Sequence, residues 1–268
     1  MKNLKELKVL KRKGLITLLG LYKEANAGHI GSSLSCLDIL IYLYFARMED
    51  NDKFILSKGH AAAGLYTVLE QKGHISKNDL ETFYKDGTYL AAHPPVGAGK
   101  VKGIVFGTGS LGHGLSLATG LALSTRFTKQ PFNVYCVLSD GDCNEGSTWE
   151  AVMFAAQHKL SNLVVIIDNN HIQGFGRTEE VINMEPMADK WRAFNFDVFE
   201  VKNGNDFDSL NEAFEEIDKS TSPQPKCIIA NTTKGSGVSY MENTVDWHYW
   251  PMNDEQYRQA IEEVEKNA

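Results

Sequence analysis

Two apolar runs in the sequence stop at clusters of oxygen-bearing side chains. VLSDGDCNEG, from Val137 to Gly146, gives way at Asp140, and VVIIDNNHIQGFG, from Val164 to Gly176, gives way at Asp168, Asn169 and Asn170. A carboxylate and an amide oxygen brought together are hard donors suited to Mg²⁺, which fills its octahedron with water and ligand phosphate. Taken singly, each such residue would more often cap a helix or a turn. Four histidines stand in suggestive contexts: NAGHIGSS (His29), LSKGHAAA (His60), LAAHPPVG (His93) and DWHYWPMN (His248). Glycine or proline neighbours place three of them in loops, where ligand-facing residues concentrate. Neutral imidazole titrates near working pH and can move a proton, although a single histidine is more often merely structural.

The elements that must position these residues alternate between helical and strand-like. A helix is expected from Leu4 to Ala25, with Leu4, Leu7, Leu15, Leu18, Leu19 and Tyr22 near helical spacing. SSLSCLDILIYLYF reads as a second helix capped by Ser33 or Ser35, KFILS as a short strand, and GHAAAGLYTVLEQ as a helix. GSLGHGLSLATGLALSTRF is helical but rich in small residues, which allow a close approach by backbone or ligand. FNVYCVLS and NLVVIID are strands without polar alternation, as when both sheet faces are covered. FDVFEV and KCIIANTT follow as strands on either side of the helix DFDSLNEAFEEIDK, and NDEQYRQAIEEVEK closes the chain as a surface helix.

This alternation predicts an α/β fold, a three-layer αβα arrangement of a mostly parallel sheet with helices on both faces. GSTWEAVMFAAQHKL is a helix-length crossover between the two quoted strands. They therefore run parallel, and Asp140 and Asn170 emerge at the same carboxyl edge, where open α/β sheets bind ligands.

The 268 residues contain neither a linker nor a repeat, so residues 1–268 are expected to form a single domain. Hydrophobic residues make up 43% and charged residues 23%, as in an ordinary soluble protein. With 27 basic against 34 acidic residues and a net charge of −7, neither nucleic acid nor an anionic membrane is the expected partner. Cys36, Cys136, Cys143 and Cys227 show no zinc spacing and read as buried thiols in a reducing, cytoplasmic setting. LDILIYLYFARM is too short and too polar at Asp38 for a bilayer span. A nicotinamide dinucleotide site is disfavoured because an acidic DGD fills the turn where a glycine fingerprint would be needed. Such a turn repels a bare diphosphate unless a cation lies between them.

The G-D-G turn followed some thirty residues later by N-N resembles the diphosphate-binding half of a transketolase, and the likeness runs over nearly the whole chain. The resemblance implies thiamine diphosphate held through Mg²⁺, or the similarly hard Ca²⁺ or Mn²⁺. The metal ligands would be Asp140, Asn170 and the carbonyl of Ile172. Gly141 would donate its amide to the diphosphate, with His60, His248, Gly109 and Leu111 also contacting the cofactor. His29 and His248 would help remove a proton from a donor-sugar hydroxyl, and His93 would hydrogen-bond the hydroxyl of the transferred unit. Glu145 would reach toward a glutamate across an interface. Ser139 departs from the family pattern by replacing the usual first glycine. His74 and His158 read as surface positions, and His113 and His171 are given no role.

Full-length members of that family are more than twice this long, and their pyrimidine pocket lies on a second module. The resemblance therefore implies catalysis only with a separate pyrimidine-binding subunit, in an α₂β₂ heterotetramer. The small-residue helix after Gly112 and the aromatics Trp247, Tyr249 and Trp250 are candidate interface elements, with ordinary core the other reading. The expected reaction is transfer of a two-carbon ketol unit from a ketose to an aldose. The alternatives are the α subunit of a 2-oxo acid dehydrogenase and a non-catalytic scaffold, which would not need the metal ligands.

Overall fold

The computed structural model describes residues 3–95, 101–128 and 130–266. The strands are β1 (Lys53–Leu56), β2 (Val134–Ser139), β3 (Leu163–Asn169), β4 (Asp197–Val201) and β5 (Lys226–Asn231). They form one sheet in the order β1-β2-β3-β5-β4, with every pairing parallel. The helices are α1 (Leu4–Ala25), α2 (Ile30–Tyr42), α3 (Ala62–Gln71), α4 (Lys77–Leu80) and α5 (His113–Thr128), followed by α6 (Gly146–Gln157), α7 (Thr178–Ile182), α8 (Met187–Ala193), α9 (Phe207–Lys219) and α10 (Asp254–Lys266).

Successive strand residues face opposite cores. Tyr135, Val137, Val164, Ile166 and Ile228 pack under α1, α2, α3 and α9. Cys136, Leu138, Val165, Ile167 and Ile229 pack against α5, α6 and α8. Because both faces are covered, β2 and β3 are buried at every position, and their sequences show no polar alternation. The register pairs Ser139 with Asp168 and Asp168 with Ala230, so the ends of β2, β3 and β5 arrive at one level. The chain passes from β3 over β5 to β4 and then returns to β5, a reversal of direction beside which open parallel sheets bind ligands.

The start of α2 corrects one expectation. The helix begins at Ile30, and neither Ser33 nor Ser35 caps it. His29 holds the cap position in the left-handed region at φ 76°. Both serines are drawn to tertiary partners instead: Ser33 pairs with the Tyr22 hydroxyl at 2.7 Å, and Ser35 donates to Asp168 at 2.6 Å. Continued by a π turn over Leu43–Arg47, α2 gives an apolar stretch of 18 residues, longer than expected, of which 83% is buried inside the fold. The seven-residue α8 escapes sequence periodicity, yet it carries the fully buried Trp191.

Candidate functional site

Asp140 follows β2 and Asn170 follows β3, and both side chains are buried. The Asp140 carboxylate accepts from the Gly141 amide at 2.8 Å and from the Thr178 hydroxyl at 2.5 Å. Asn170 turns its Oδ1 to the Ile172 amide at 3.1 Å and its Nδ2 to Ser35 Oγ at 3.3 Å. Burial pushes the Asp140 carboxyl above the usual range; Asp168 adds to this, and the Thr178 hydroxyl opposes it. Among the described residues no lysine or arginine forms an ion pair with Asp140.

A carboxylate at 2% exposure without an ion-pair partner is costly unless a cation neutralises it. The neighbouring donors are an amide oxygen and the Ile172 carbonyl, an all-oxygen set that suits Mg²⁺ or Ca²⁺ and not a thiophilic metal. The carbonyl already faces a cation, since Lys234 Nζ donates to it at 3.0 Å. No group of three His, Cys, Asp or Glu side chains gathers as a metal site among the described residues. The set here needs only one of those types, and on this chemistry the residues fit a hard divalent cation.

The four singled-out histidines converge beside this loop. The His29 ring lies 4.9 Å from His248, 5.7 Å from His60 and 6.1 Å from His93, and His60 lies 5.6 Å from His248, centroid to centroid. The backbone amide of His29 donates to the His248 carbonyl at 3.0 Å, joining α2 to the C-terminal loop. The left-handed backbone at His29, rare for a residue with a side chain, is held by that tie. Lys234 Nζ also approaches His248 Nδ1 at 3.0 Å. Burial first, then neighbouring charges, hold three of these imidazoles below their usual pKa: His248 falls to about 3, His60 well below normal, and His29 in the same direction, while burial alone lowers His93. All four are therefore neutral near pH 7. Burial and Lys58 lower Lys234 to about 8.

Gly109 lies against the His93 ring, and Leu111 packs on Gly141. That loop can approach only because residue 59 is glycine: a Cβ there would sit 2.8 Å from the Thr108 carbonyl oxygen. Glu145 is exposed at the rim. Trp247 is buried and bonds the Tyr240 carbonyl, as ordinary core does, whereas Tyr249 and Trp250 are 52% and 62% exposed and Tyr249 lies against the His248 ring. His74 and His158, read as surface positions, are both partly exposed.

Sequence reasoning missed the buried charges beneath the site. Lys58 and Asp168 are wholly enclosed and form an ion pair; Asp168 also accepts from Thr232 and Ser35. Burial alone disfavours the Lys58 ammonium, but Asp168 holds its pKa above normal. Asp142 was missed as well. It accepts from Ser57 Oγ at 2.6 Å, the Gly112 amide at 2.8 Å, and the amide and hydroxyl of Ser139 at 2.8 and 2.9 Å. The serine in place of the usual glycine thus braces the turn. A lysine placed just after a strand, as in LSKGH and TTKGSG, was the available signal for Lys58 and Lys234.

Comparison with known proteins follows the same lines. A family model described as transketolase, thiamine diphosphate binding domain, matches residues 15–266. An apulose-4-phosphate transketolase subunit from Phocaeicola vulgatus is 43% identical over 262 residues, covering 94% of this chain and 90% of that protein. The 6-deoxy-6-sulfo-D-fructose transketolase subunit SqwG of a Clostridium species is 36% identical, with 91% of each chain covered. Transketolase of Campylobacter jejuni superposes with a TM-score of 0.90 at 30% identity, covering 98% of this chain but 43% of its own. The chain likewise spans 39% of human transketolase, at 34% identity. Matched over nearly its whole length in both sequence and fold, the chain belongs to the transketolase family and comprises its N-terminal, thiamine diphosphate-binding part.

Proposed function

We propose that this chain is the diphosphate-binding subunit of a two-subunit transketolase, moving a two-carbon ketol unit from a ketose donor to an aldose acceptor. The observation that carries the reading is the convergence, at one carboxyl edge, of an all-oxygen donor set and four neutral imidazoles. Asp140, Asn170 and the Ile172 carbonyl would hold Mg²⁺. His60, Gly109, Leu111 and His248 would hold the cofactor, and the Gly141 amide, which here turns to Asp140 at 2.8 Å, would have to turn from it to reach the diphosphate. Bound there, thiamine diphosphate would supply the carbanion chemistry of carbon–carbon cleavage.

The chain's own residues would manage protons and position. Desolvated and neutral, His29 and His248 can accept the proton of a donor hydroxyl, a role typically worth ~10²–10⁴-fold. His93, on the same cluster, would hydrogen-bond the hydroxyl of the transferred unit. Glu145, exposed, is free to meet a group on another chain. The names of the two relatives as subunits support a separate pyrimidine-binding partner, which we read as giving an α₂β₂ assembly in the cytoplasm, with residues 1–268 as one domain. The same names, for apulose-4-phosphate and a sulfonated fructose, favour a ketose with an anionic group as the substrate class here.

Calorimetric titration of thiamine diphosphate, with Mg²⁺ and with EDTA, into the chain alone and with its co-purified partner tests this reading. Metal-dependent binding that tightens with the partner is expected, and Asp140→Ala and Asn170→Ala should each abolish it. Equally tight binding by both variants would sink the site assignment. No binding by the folded wild-type assembly would favour a scaffold.

A further inference from the structure

The two side chains read as metal ligands each have one oriented hydroxyl partner, and nothing in the sequence pattern marks either. Thr178 Oγ1, at the start of α7, donates to Asp140 Oδ2 at 2.5 Å, while the Gly141 amide occupies Oδ1. Ser35 Oγ, inside α2, accepts from Asn170 Nδ2 at 3.3 Å. The Ser35 contact has a defined polarity. The hydroxyl proton is drawn to Asp168 Oδ2 at 2.6 Å or to the Ser32 carbonyl at 3.0 Å, and that carboxylate pairs with the enclosed Lys58. Lys58 Nζ also donates to the Ser32 carbonyl at 3.0 Å and reaches Ser35 Oγ at 3.5 Å. With its proton committed, Ser35 can only accept from Asn170, so the amide nitrogen must face α2 and the amide oxygen must face the Ile172 loop.

We propose that Ser35 and Thr178 are positioning residues that aim the oxygens of Asn170 and Asp140 at the cation. The Lys58–Asp168 pair beneath them sets the direction of the chain of hydrogen bonds. This rests on the site reading above. Its geometry has a further consequence: Ser32 lies three residues after His29, Lys58 two before His60, Asp168 two before Asn170 and Thr232 two before Lys234. One buried network therefore anchors four segments that carry site residues. The partners that orient a metal's ligands typically govern 10–100-fold in its affinity.

The test is the Mg²⁺ dependence of thiamine diphosphate binding by the full chain with its partner, read by calorimetry at fixed cofactor and varied Mg²⁺, for wild type, Thr178→Val, Thr178→Ser and Ser35→Ala. Thr178→Val and Ser35→Ala are each expected to raise the Mg²⁺ concentration for half-saturation about 10-fold or more. Thr178→Ser, which keeps the hydroxyl, should restore the wild-type value. Thr178→Val replaces a hydroxyl by a methyl of the same shape at the one buried position of a five-residue helix outside the sheet, so it provides a folded variant whatever Ser35→Ala does to the core. Wild-type Mg²⁺ dependence in both hydroxyl-deleted variants overturns the inference and leaves the site reading intact. An equal loss in Thr178→Ser and Thr178→Val overturns it too, because packing rather than the hydroxyl would then govern. Metal-independent binding by the wild type overturns both readings.

Discussion

Asp142 shows at the scale of one residue why a second acid follows the first in the DGD turn. Its two oxygens accept four hydrogen bonds, from Ser57, Gly112 and twice from Ser139, in a wholly buried setting. The side chain therefore joins the end of β1, the 107–112 loop and the end of β2, and leaves Asp140 alone to face the site. An asparagine would keep one oxygen for one pair of these donors and turn an NH₂ group toward the other pair. Asp142→Asn is expected to cost about 3 kcal/mol or more in urea unfolding, the order of loss when buried donors go unpaired. A loss below about 1 kcal/mol would show that the turn is held by other contacts.

At the scale of elements, the site depends on how closely two loops approach. The turn at Gly59–Ala61, which carries His60, packs on the Thr108–Gly109 backbone with no room for a Cβ at residue 59. Gly59→Ala must part these loops, while β1 and α3 on either side keep their own hydrogen bonds. The expected result is a native circular dichroism spectrum with thiamine diphosphate affinity weakened at least about 10-fold, since even a small misplacement in a preorganised site is costly. Unchanged affinity would show that the 107–112 loop does not contact the cofactor. The short helices α7 and α8 illustrate another element-scale point: α7 has five residues and α8 seven, too few to show a period, yet Thr178 and Trp191 are fixed by them.

For the whole molecule, partly burying four imidazoles makes stability depend on pH. His29, His60, His93 and His248 are all lowered from an ordinary 6.5, chiefly by burial. Below that value the unfolded chain takes up protons that the folded chain refuses. Stability is therefore full above the unfolded pKa and falls as pH drops through it, by up to about 1.4 kcal/mol per pH unit for His60 and by less for His29 and His93, which solvent partly reaches. The fall for His248 continues toward its folded value of about 3. Asp140 and Asp38, raised by burial, act in the opposite sense because the folded state binds their protons first. Urea unfolding of wild type and His60→Asn between about pH 5.5 and 7.5 isolates the histidine contribution. The variant should lose stability less steeply on acidification, and parallel curves would mean that His60 is not held neutral by the fold.

Much of this molecule was legible from local order alone. Unbroken apolar runs such as VYCVL and LVVII could only be strands covered on both faces, and a helix-length crossover between them forced Asp140 and Asn170 to one edge. Both conclusions follow from chain connectivity and from period, which a sequence contains. The meeting of His29, His60, His93 and His248 in one cluster was suggested by resemblance, but only the tertiary structure brings their rings within 6.1 Å. That Lys58, Asp168 and the four-fold bonded Asp142 would be enclosed, and with which partners, was not legible beforehand. The cost of burying a charge is decided by partners far along the chain, and no local pattern records that Lys58 and Asp168, or Ser35 and Asn170, will meet.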